Sequence, residues 1–463
     1  MTAAVLAAVD AAFPDTRARL EALVRIPSCS FPGFDPAHVA RSAAVTADWL
    51  RAAGFPAVEV IAPAGVLPYV LAEDRRAGPQ APTVLCYAHH DVQPPLRAEV
   101  WRSDPFEPVE RDGRLYGRGA ADDKAGIACI AAAMQAWTAV HGRPPVNLLA
   151  LIEGEEESGS AHMGAFIAAH RDRLRADALV IADLANVDTG VPSLTASLRG
   201  HVGVEVELRA LRAPLHSGMW GGAVGDPVAA LCRMLATLTG PDGAIAVPAL
   251  LAGARQPGPA ERAELARVPY DRARFAAQAG ILPGADLPAD GAELHERLWL
   301  RPSLAINAIQ AGQRGQTGNV IMDAAWARLG IRIVPDQDPA AVRAALEAHL
   351  RAQVPAGMAL TIVPASHGAP WSTATTHPLF GAMRTALRQG YGRDSVTIGC
   401  GASIPFVQQL SDALGGVPAL LIGVEDPACA AHAENESVHL GDLAAAARSL
   451  AAFLGLAAGR GPG

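Results

Sequence analysis

Two hydrophobic patterns alternate along the chain. In the first, apolar residues run without interruption and lead to acids or imidazoles. Val84-Leu85-Cys86-Tyr87-Ala88 enters His89-His90-Asp91, residues 146–152 enter Glu153-Gly154-Glu155-Glu156-Glu157, residues 178–182 enter Asp183, and residues 417–424 are followed by His432. Such runs read as strands covered on both faces, and open α/β sheets bind ligands beyond the carboxyl ends of their strands. Helical stretches such as 126–137 separate them, the βα alternation of a covered, largely parallel sheet. In the second pattern Val202, Val204, Val206 and Leu208 alternate with Gly203, Glu205 and Glu207, while Leu329, Ile331 and Ile333 alternate with Gly330, Arg332 and Val334. Period two with one largely polar face predicts a sheet open on one side, its other face covered by helices over 227–238 and 340–352. The expected fold is α/β: a split domain, residues 1–197 and 368–463, around a covered, largely parallel central sheet, with an α+β domain, residues 198–367, inserted into it. The Pro- and Gly-rich stretch 240–288 reads as loops and short helices over the cleft. Residues 1–23 read as an amphipathic helix broken near Pro14, and 459–463 as a frayed tail.

Composition narrows the function classes. A chain of 463 residues has ample capacity for a core and more than one domain. Its net charge of −8 and scattered Arg leave no basic block, which excludes nucleic acid as a partner. No apolar run is expected to approach the ~20 residues of a membrane span, and the N-terminus lacks the pattern of a signal peptide. The six cysteines form no Cys-x-x-Cys pair and several lie in apolar stretches, which suits reduced thiols in a cytoplasmic protein.

Taken singly, the chemical motifs are ambiguous. His89-x-Asp91 offers an imidazole with an acid placed to hold its other nitrogen, yet a surface His beside a turn-forming Asp reads the same way. Gly117-Arg118-Gly119-Ala120-Ala121-Asp122-Asp123-Lys124 is a Gly-rich turn into a helix; its acids serve equally as caps, and they would repel an anion, so it is not a phosphate loop. Glu155-Glu156-Glu157 places like charges side by side, for which a cation in their midst is the simpler account and a solvated turn the alternative.

Together the motifs resemble peptidase family M20, which includes dipeptidases, acetylornithine deacetylase and glutamate carboxypeptidase. The resemblance is carried by Ala88-His89-His90-Asp91-Val92-Gln93-Pro94, Trp101-x-x-Asp104-Pro105-Phe106, Gly117-Arg118-Gly119-x-x-Asp122-Asp123-Lys124, Glu153-Gly154-Glu155-Glu156-Glu157-Ser158-Gly159-Ser160, Leu215-His216-Ser217-Gly218 and Ala431-His432, in family order over nearly the whole chain. The Glu153–Ser160 wording and the long segment 240–302 look most like the dipeptidase branch.

The resemblance implies two divalent metal ions, with His89 and Asp183 on one, Glu157 and His432 on the other, and Asp122 bridging. Two imidazoles and three carboxylates form a mixed N/O set suited to zinc first, manganese or cobalt next. Such a pair shares a water and polarises the scissile carbonyl. Glu156 is then the general base and Asp91 orients His89. The Asp122-Asp123 peptide bond is expected to be cis. The inserted domain becomes a lid and dimerisation domain of a homodimer. Its His216 is expected to stabilise the oxyanion from the partner subunit, and Arg332 to grip a substrate carboxylate, with a solvated Arg as the equal alternative. Asn319 and Ser403 are further substrate-binding candidates. The chain departs from dipeptidases at Cys400 and Pro214, where they have acids. The expected activity is hydrolysis of an amide bond next to a free carboxylate, as a dipeptidase or exopeptidase. An N-acyl-amino-acid deacylase is the second reading, which the lost acid at Cys400 favours, and a catalytically silent binding protein the third.

Overall fold

The computed structural model describes residues 2–285, 287–315, 318–402 and 404–459; Ser403 lies outside them. The strands form a large mixed sheet in the order Ala57–Ile61, Tyr69–Asp74, Asn147–Glu153, Thr83–His89, Ala178–Ile181, Ala419–Leu421, Ser193–Leu198, Trp371–Ser372, with Val396–Cys400 also paired to Ser193–Leu198. Its centre is parallel as the uninterrupted apolar runs predict: Thr83–His89 lies between Asn147–Glu153 and Ala178–Ile181, and Ala419–Leu421 follows. Towards the edges the pairing turns antiparallel: the short connection 62–68 allows only a hairpin return, and Tyr69–Asp74 on Asn147–Glu153 and Trp371–Ser372 on Ser193–Leu198 are antiparallel as well. Register brings the carboxyl ends level, with His89 opposite Glu153 and Ile181 opposite both Tyr87 and Leu421.

Helices Thr2–Val24, Lys124–His141, Pro378–Tyr391 and Leu440–Ala458 fill one face of this sheet. Met163–His170 and Pro405–Ala413 lie on the other. The sole lysine is an internal tie: the buried Lys124 Nζ donates to the carbonyls of Leu23 and Ile26, each at 2.9 Å. Burial lowers its pKa to about 7.

Two sequence expectations need correction. The first helix runs unbroken through Pro14, because Val5, Val9, Leu20 and Leu23 bury on both sides of it and outweigh one missing backbone bond. Leu440–Ala458 is, by length and composition, apolar enough to cross a bilayer. Here 67% of that window is buried, so its apolarity serves the core.

A second sheet, wholly antiparallel, is ordered Ser303–Gln310, Ala324–Ile333, Gly200–Arg209, Ala359–Gly368. The predicted alternation holds: Val202, Val204, Val206, Leu208, Leu329, Ile331 and Ile333 bury in a core of their own beneath Pro227–Ala236 and Pro339–Ala352. Segment 240–302 forms a short 3-10 turn and the helices Pro259–Leu265, Arg272–Gln278 and Gly291–Trp299.

The tightest backbone approach is at Gly423, where an added Cβ would lie 1.4 Å from the carbonyl oxygen of Leu184. Gly423→Ala therefore forces apart the chain segments that follow two central strands. Overpacking of this kind costs about 1–3 kcal/mol, and a lowered midpoint of chemical unfolding is the expected result.

Candidate metal centre

At the carboxyl edge of the parallel strands, the Asp122 carboxylate faces two imidazoles at once. Its Oδ1 lies 3.0 Å from His89 Nε2 and its Oδ2 2.9 Å from His432 Nε2. His89 Nε2 is also 3.6 Å from Asp183 Oδ1, and His432 Nε2 is 3.1 Å from Glu157 Oε2. The five residues expected to hold metal thus converge as two half-sites that share Asp122.

Each is placed by a separate device. His89 ends its strand, and Asp183 follows Ala178–Ile181 in the chain. The Asp122 loop is held by buried Glu436, which accepts from the backbone N–H groups of Gly119, Ala121 and Asp122 at 2.9, 2.9 and 3.1 Å. Arg118 pairs with Glu436 at 2.7 Å and donates to the Ala433 carbonyl at 3.0 Å, tying this loop to the one that carries His432. The Asp122-Asp123 bond is cis, and Asp123 caps Lys124–His141 by accepting from Gly126 N–H. Asp91 accepts from the N–H groups of Glu156 and Glu157 at 3.2 and 3.1 Å, which fixes the acidic turn. Gln93 holds the Glu157 carboxylate through its own N–H and its side-chain amide. His432 sits at φ +60°, a left-handed backbone that turns its ring back toward Asp122.

Charge in this cluster is unbalanced. His89 Nδ1 lies 3.1 Å from the Asp91 carbonyl, which only accepts, so Nδ1 carries a proton. Its Nε2 faces the oxygens of Asp122 and Asp183, so a positive charge, either a second ring proton or a metal ion, belongs between them. The titration directions agree. Burial opposes the charged form of His89, but the Asp183 charge and the bonds to Asp122, Asp183 and Asp91 hold its pKa well above the imidazole range. Bonds to Asp122 and Glu157 raise His432 to about 11. Burial and the Asp122 charge raise Glu157 to about 7, and burial with the surrounding carboxylates raises Asp183 and lifts Glu156 well up. Imidazoles that bind protons tightly around an Asp122 they keep ionised, beside Asp183, Glu156 and Glu157 carboxyls that resist ionisation, mark a site short of cations. The donor set fits two divalent ions, three N/O groups to each with Asp122 shared. Asp123 also lies near His89 and Asp183. Its oxygens, however, accept from the N–H groups of His89 and Gly126, so Asp122 is the better bridge.

The remaining candidates lie elsewhere. His216 is exposed, its Nδ1 accepting from Gly218 N–H at 3.1 Å, and among the described residues no hydrogen bond or ion pair joins it to the cluster. Asn319 is next to it, since its carbonyl accepts from Ser217 N–H at 2.8 Å and His216 pairs with Val320. Arg332 is half-buried opposite Ser303 and His201, and its charge acts on neighbouring Arg199. The sequence reading passed over Glu436 and Arg118 as positioning groups, and Glu425. The last offers a carboxylate oxygen within 4.8 Å of ligand atoms on Asp122 and Asp183. A signal for it existed: Glu425 directly follows the apolar run 417–424, as Asp183 follows its own.

Residues 85–455 match the profile of "Peptidase family M20/M25/M40". The cysteinylglycine-S-conjugate dipeptidase of Corynebacterium striatum is 32% identical over 383 residues, 81% of each chain. Among solved structures, the dipeptidase Dug1p of Saccharomyces cerevisiae superposes with a TM-score of 0.82 at 25% identity, covering 99% of both chains. Human carnosine dipeptidase 1 gives 0.82 at 26% identity, again over 99% of each. The chain belongs to peptidase family M20/M25/M40, and it is a metal-dependent hydrolase of peptide bonds.

Proposed function

We propose that this protein is a dipeptidase that works with two divalent metal ions, zinc first and manganese or cobalt next. The observation that carries this reading is the pair of imidazoles facing the two oxygens of Asp122, with Asp183 and Glu157 completing the halves and Glu156 beside them. His89, Asp183 and Asp122 would hold one ion, and His432, Glu157 and Asp122 the other. When bound, the ions supply Lewis acidity toward the scissile carbonyl and lower the pKa of the attacking water.

The protein's own side chains do the rest. Among the described residues the Glu156 carboxylate has no hydrogen-bond partner, while its backbone N–H is fixed by Asp91. It is free to take a proton from the attacking water and return it to the leaving nitrogen, and its raised pKa suits a group that both accepts and donates. Asp91 orients His89 and the acidic turn together. Arg332 is assigned the substrate carboxylate, supported by its place on the polar face of its strand. Asn319 and, outside the described residues, Ser403 are assigned to substrate binding. Residues 1–197 and 368–463 form the metal-binding domain in this reading, and 198–367 the lid and dimerisation domain. His216 lies in the strand pair Leu215–His216 with Val320–Ile321 and Asn319 directly precedes that pair's second strand; the exposure of His216 suits delivery to the site of a partner subunit. The six free thiols suit a reducing, cytoplasmic setting. The deacylase reading retains one supporting observation, Cys400 in place of an acid.

Three outcomes follow. A chelator should abolish hydrolysis of free dipeptides, and Zn²⁺, Mn²⁺ or Co²⁺ should restore it; activity that survives complete metal removal would sink the reading. Glu156→Gln should lower kcat by about 10²–10⁴-fold at unchanged metal content, measured by steady-state kinetics beside elemental analysis. If His216 acts across a dimer, Glu156→Gln and His216→Ala proteins, each inactive alone, should regain activity when their subunits are mixed. Failure to complement in a mixture shown to exchange subunits would place His216 outside the neighbouring site.

A further inference from the structure

Glu425 is a carboxylate inside the reaction site without an assigned task. Its backbone is fixed: a parallel bridge joins it to Ala185, and its carbonyl accepts from Asn186 N–H at 2.8 Å. A side-chain oxygen reaches within 4.8 Å of ligand atoms on Asp122 and Asp183. Yet each half-site already has its imidazole, its own carboxylate and the shared Asp122, and among the described residues the Glu425 carboxylate makes no hydrogen bond or ion pair. Cys400 lies close enough for its thiol to interact electrostatically with Glu425.

A cavity of about 630 Å³ adjoins this point. Ala185, Pro427 and Cys400 line it near Glu425, and Tyr270, Phe275 and Trp299 from segment 240–302 line its far side. Glu425 does not line the cavity itself, but its bridge partner Ala185 and Pro427, two residues further on, do, so a largely apolar chamber lies beside the Glu425 edge of the cluster.

The substrate's own chemistry supplies the missing occupant. A free dipeptide carries an ammonium group on the carbon next to the scissile carbonyl. Once that carbonyl is presented to Glu156, the ammonium is within a few bond lengths of the cluster, where bound dications repel it. A carboxylate that is neither ligand nor base must compensate for it. We propose that Glu425 receives the free α-ammonium of the substrate, and that the adjoining cavity takes the N-terminal side chain, so the enzyme selects dipeptides with a free amine and a bulky apolar first residue. This rests on the dipeptidase reading above and resolves its remaining ambiguity, because the acid lost at Cys400 is supplied by a residue that follows a different strand, Ala419–Leu421.

The test compares metal-loaded wild type, Glu425→Gln and Glu425→Asp on a matched pair: an apolar dipeptide, and its analogue with the amine replaced by hydrogen. The readout is the ratio of the two kcat/KM values. Charge-assisted hydrogen bonds and ligands that lack a buried site's expected donor set the scale. Wild type should prefer the free amine, and Glu425→Gln should shrink that preference by about 10- to 100-fold, chiefly through KM. Glu425→Asp, which keeps the charge, should recover part of it and carries the comparison if the Gln protein is unstable. A ratio unchanged in an active variant overturns the proposal alone. Metal content below wild type in Glu425→Gln also overturns it, since Glu425 would then be a ligand. Silence of the wild type toward every amide and metal overturns the dipeptidase reading and this inference with it.

Discussion

The structure depends on one electrostatic problem, the gathering of acids at the carboxyl edge of a parallel sheet. Asp91, Asp122, Asp183, Glu156, Glu157 and Glu425 share a neighbourhood in which His89 and His432 offer the positive charge that touches the shared Asp122. Adjacent carboxylates in a poorly solvated site cannot all ionise without cations among them. Much of the surrounding architecture serves to hold them together regardless. The Arg118–Glu436 pair clamps the Asp122 loop against the His432 loop, and Asp91 accepts from the backbone of the acidic turn. These bonds are made by groups that would not touch metal, so the two half-sites are preorganised, the condition under which fixed charges act most strongly on a reacting group.

How much of this was legible in the sequence follows from which signals are local. The central strands announced themselves as apolar runs because both faces of the sheet are covered, and the open sheet showed its period because one face is not. The five acids and imidazoles of the cluster follow apolar runs or lie in motifs that are ambiguous singly, and it was the resemblance carried by the order of those motifs that named them. What escaped was long-range. Nothing near Glu436 says that its carboxylate will collect three backbone N–H groups more than 300 positions away. Pro14 reads locally as a helix breaker, and only the packing of the residues on either side of it, from Val5 to Leu23, decides otherwise. The apolarity of 440–458 is ambiguous in one dimension, since a central core helix and a membrane span share a composition; the neighbouring helices resolve it.

His216 shows the limit in the other direction, because its motif was legible and its geometry in a single chain is not that of a catalytic group. It is exposed and caps its own short helix, beside Asn319. Two functional candidates that the sequence separates by about a hundred positions are thus neighbours on one small two-stranded ribbon, away from the acids they are expected to serve. The ribbon and the short helix that follows it bury Ile321 but display Met219, Trp220 and Val320 to solvent.

Specificity then divides along the substrate. In the proposed reading the carbonyl goes to the acid cluster, the carboxyl end to Arg332, and the amine end to whatever acid remains. Cys400 taken alone pointed to blocked amines, because a position that would hold a carboxylate holds a thiol whose pKa burial raises. Glu425 changes that conclusion without changing the chemistry. A cation recognised beside two metal ions needs a negative charge within hydrogen-bonding reach, but the site does not depend on which strand provides it. Two strand ends that converge on the same point can exchange that duty, and sequence position would record only the loss.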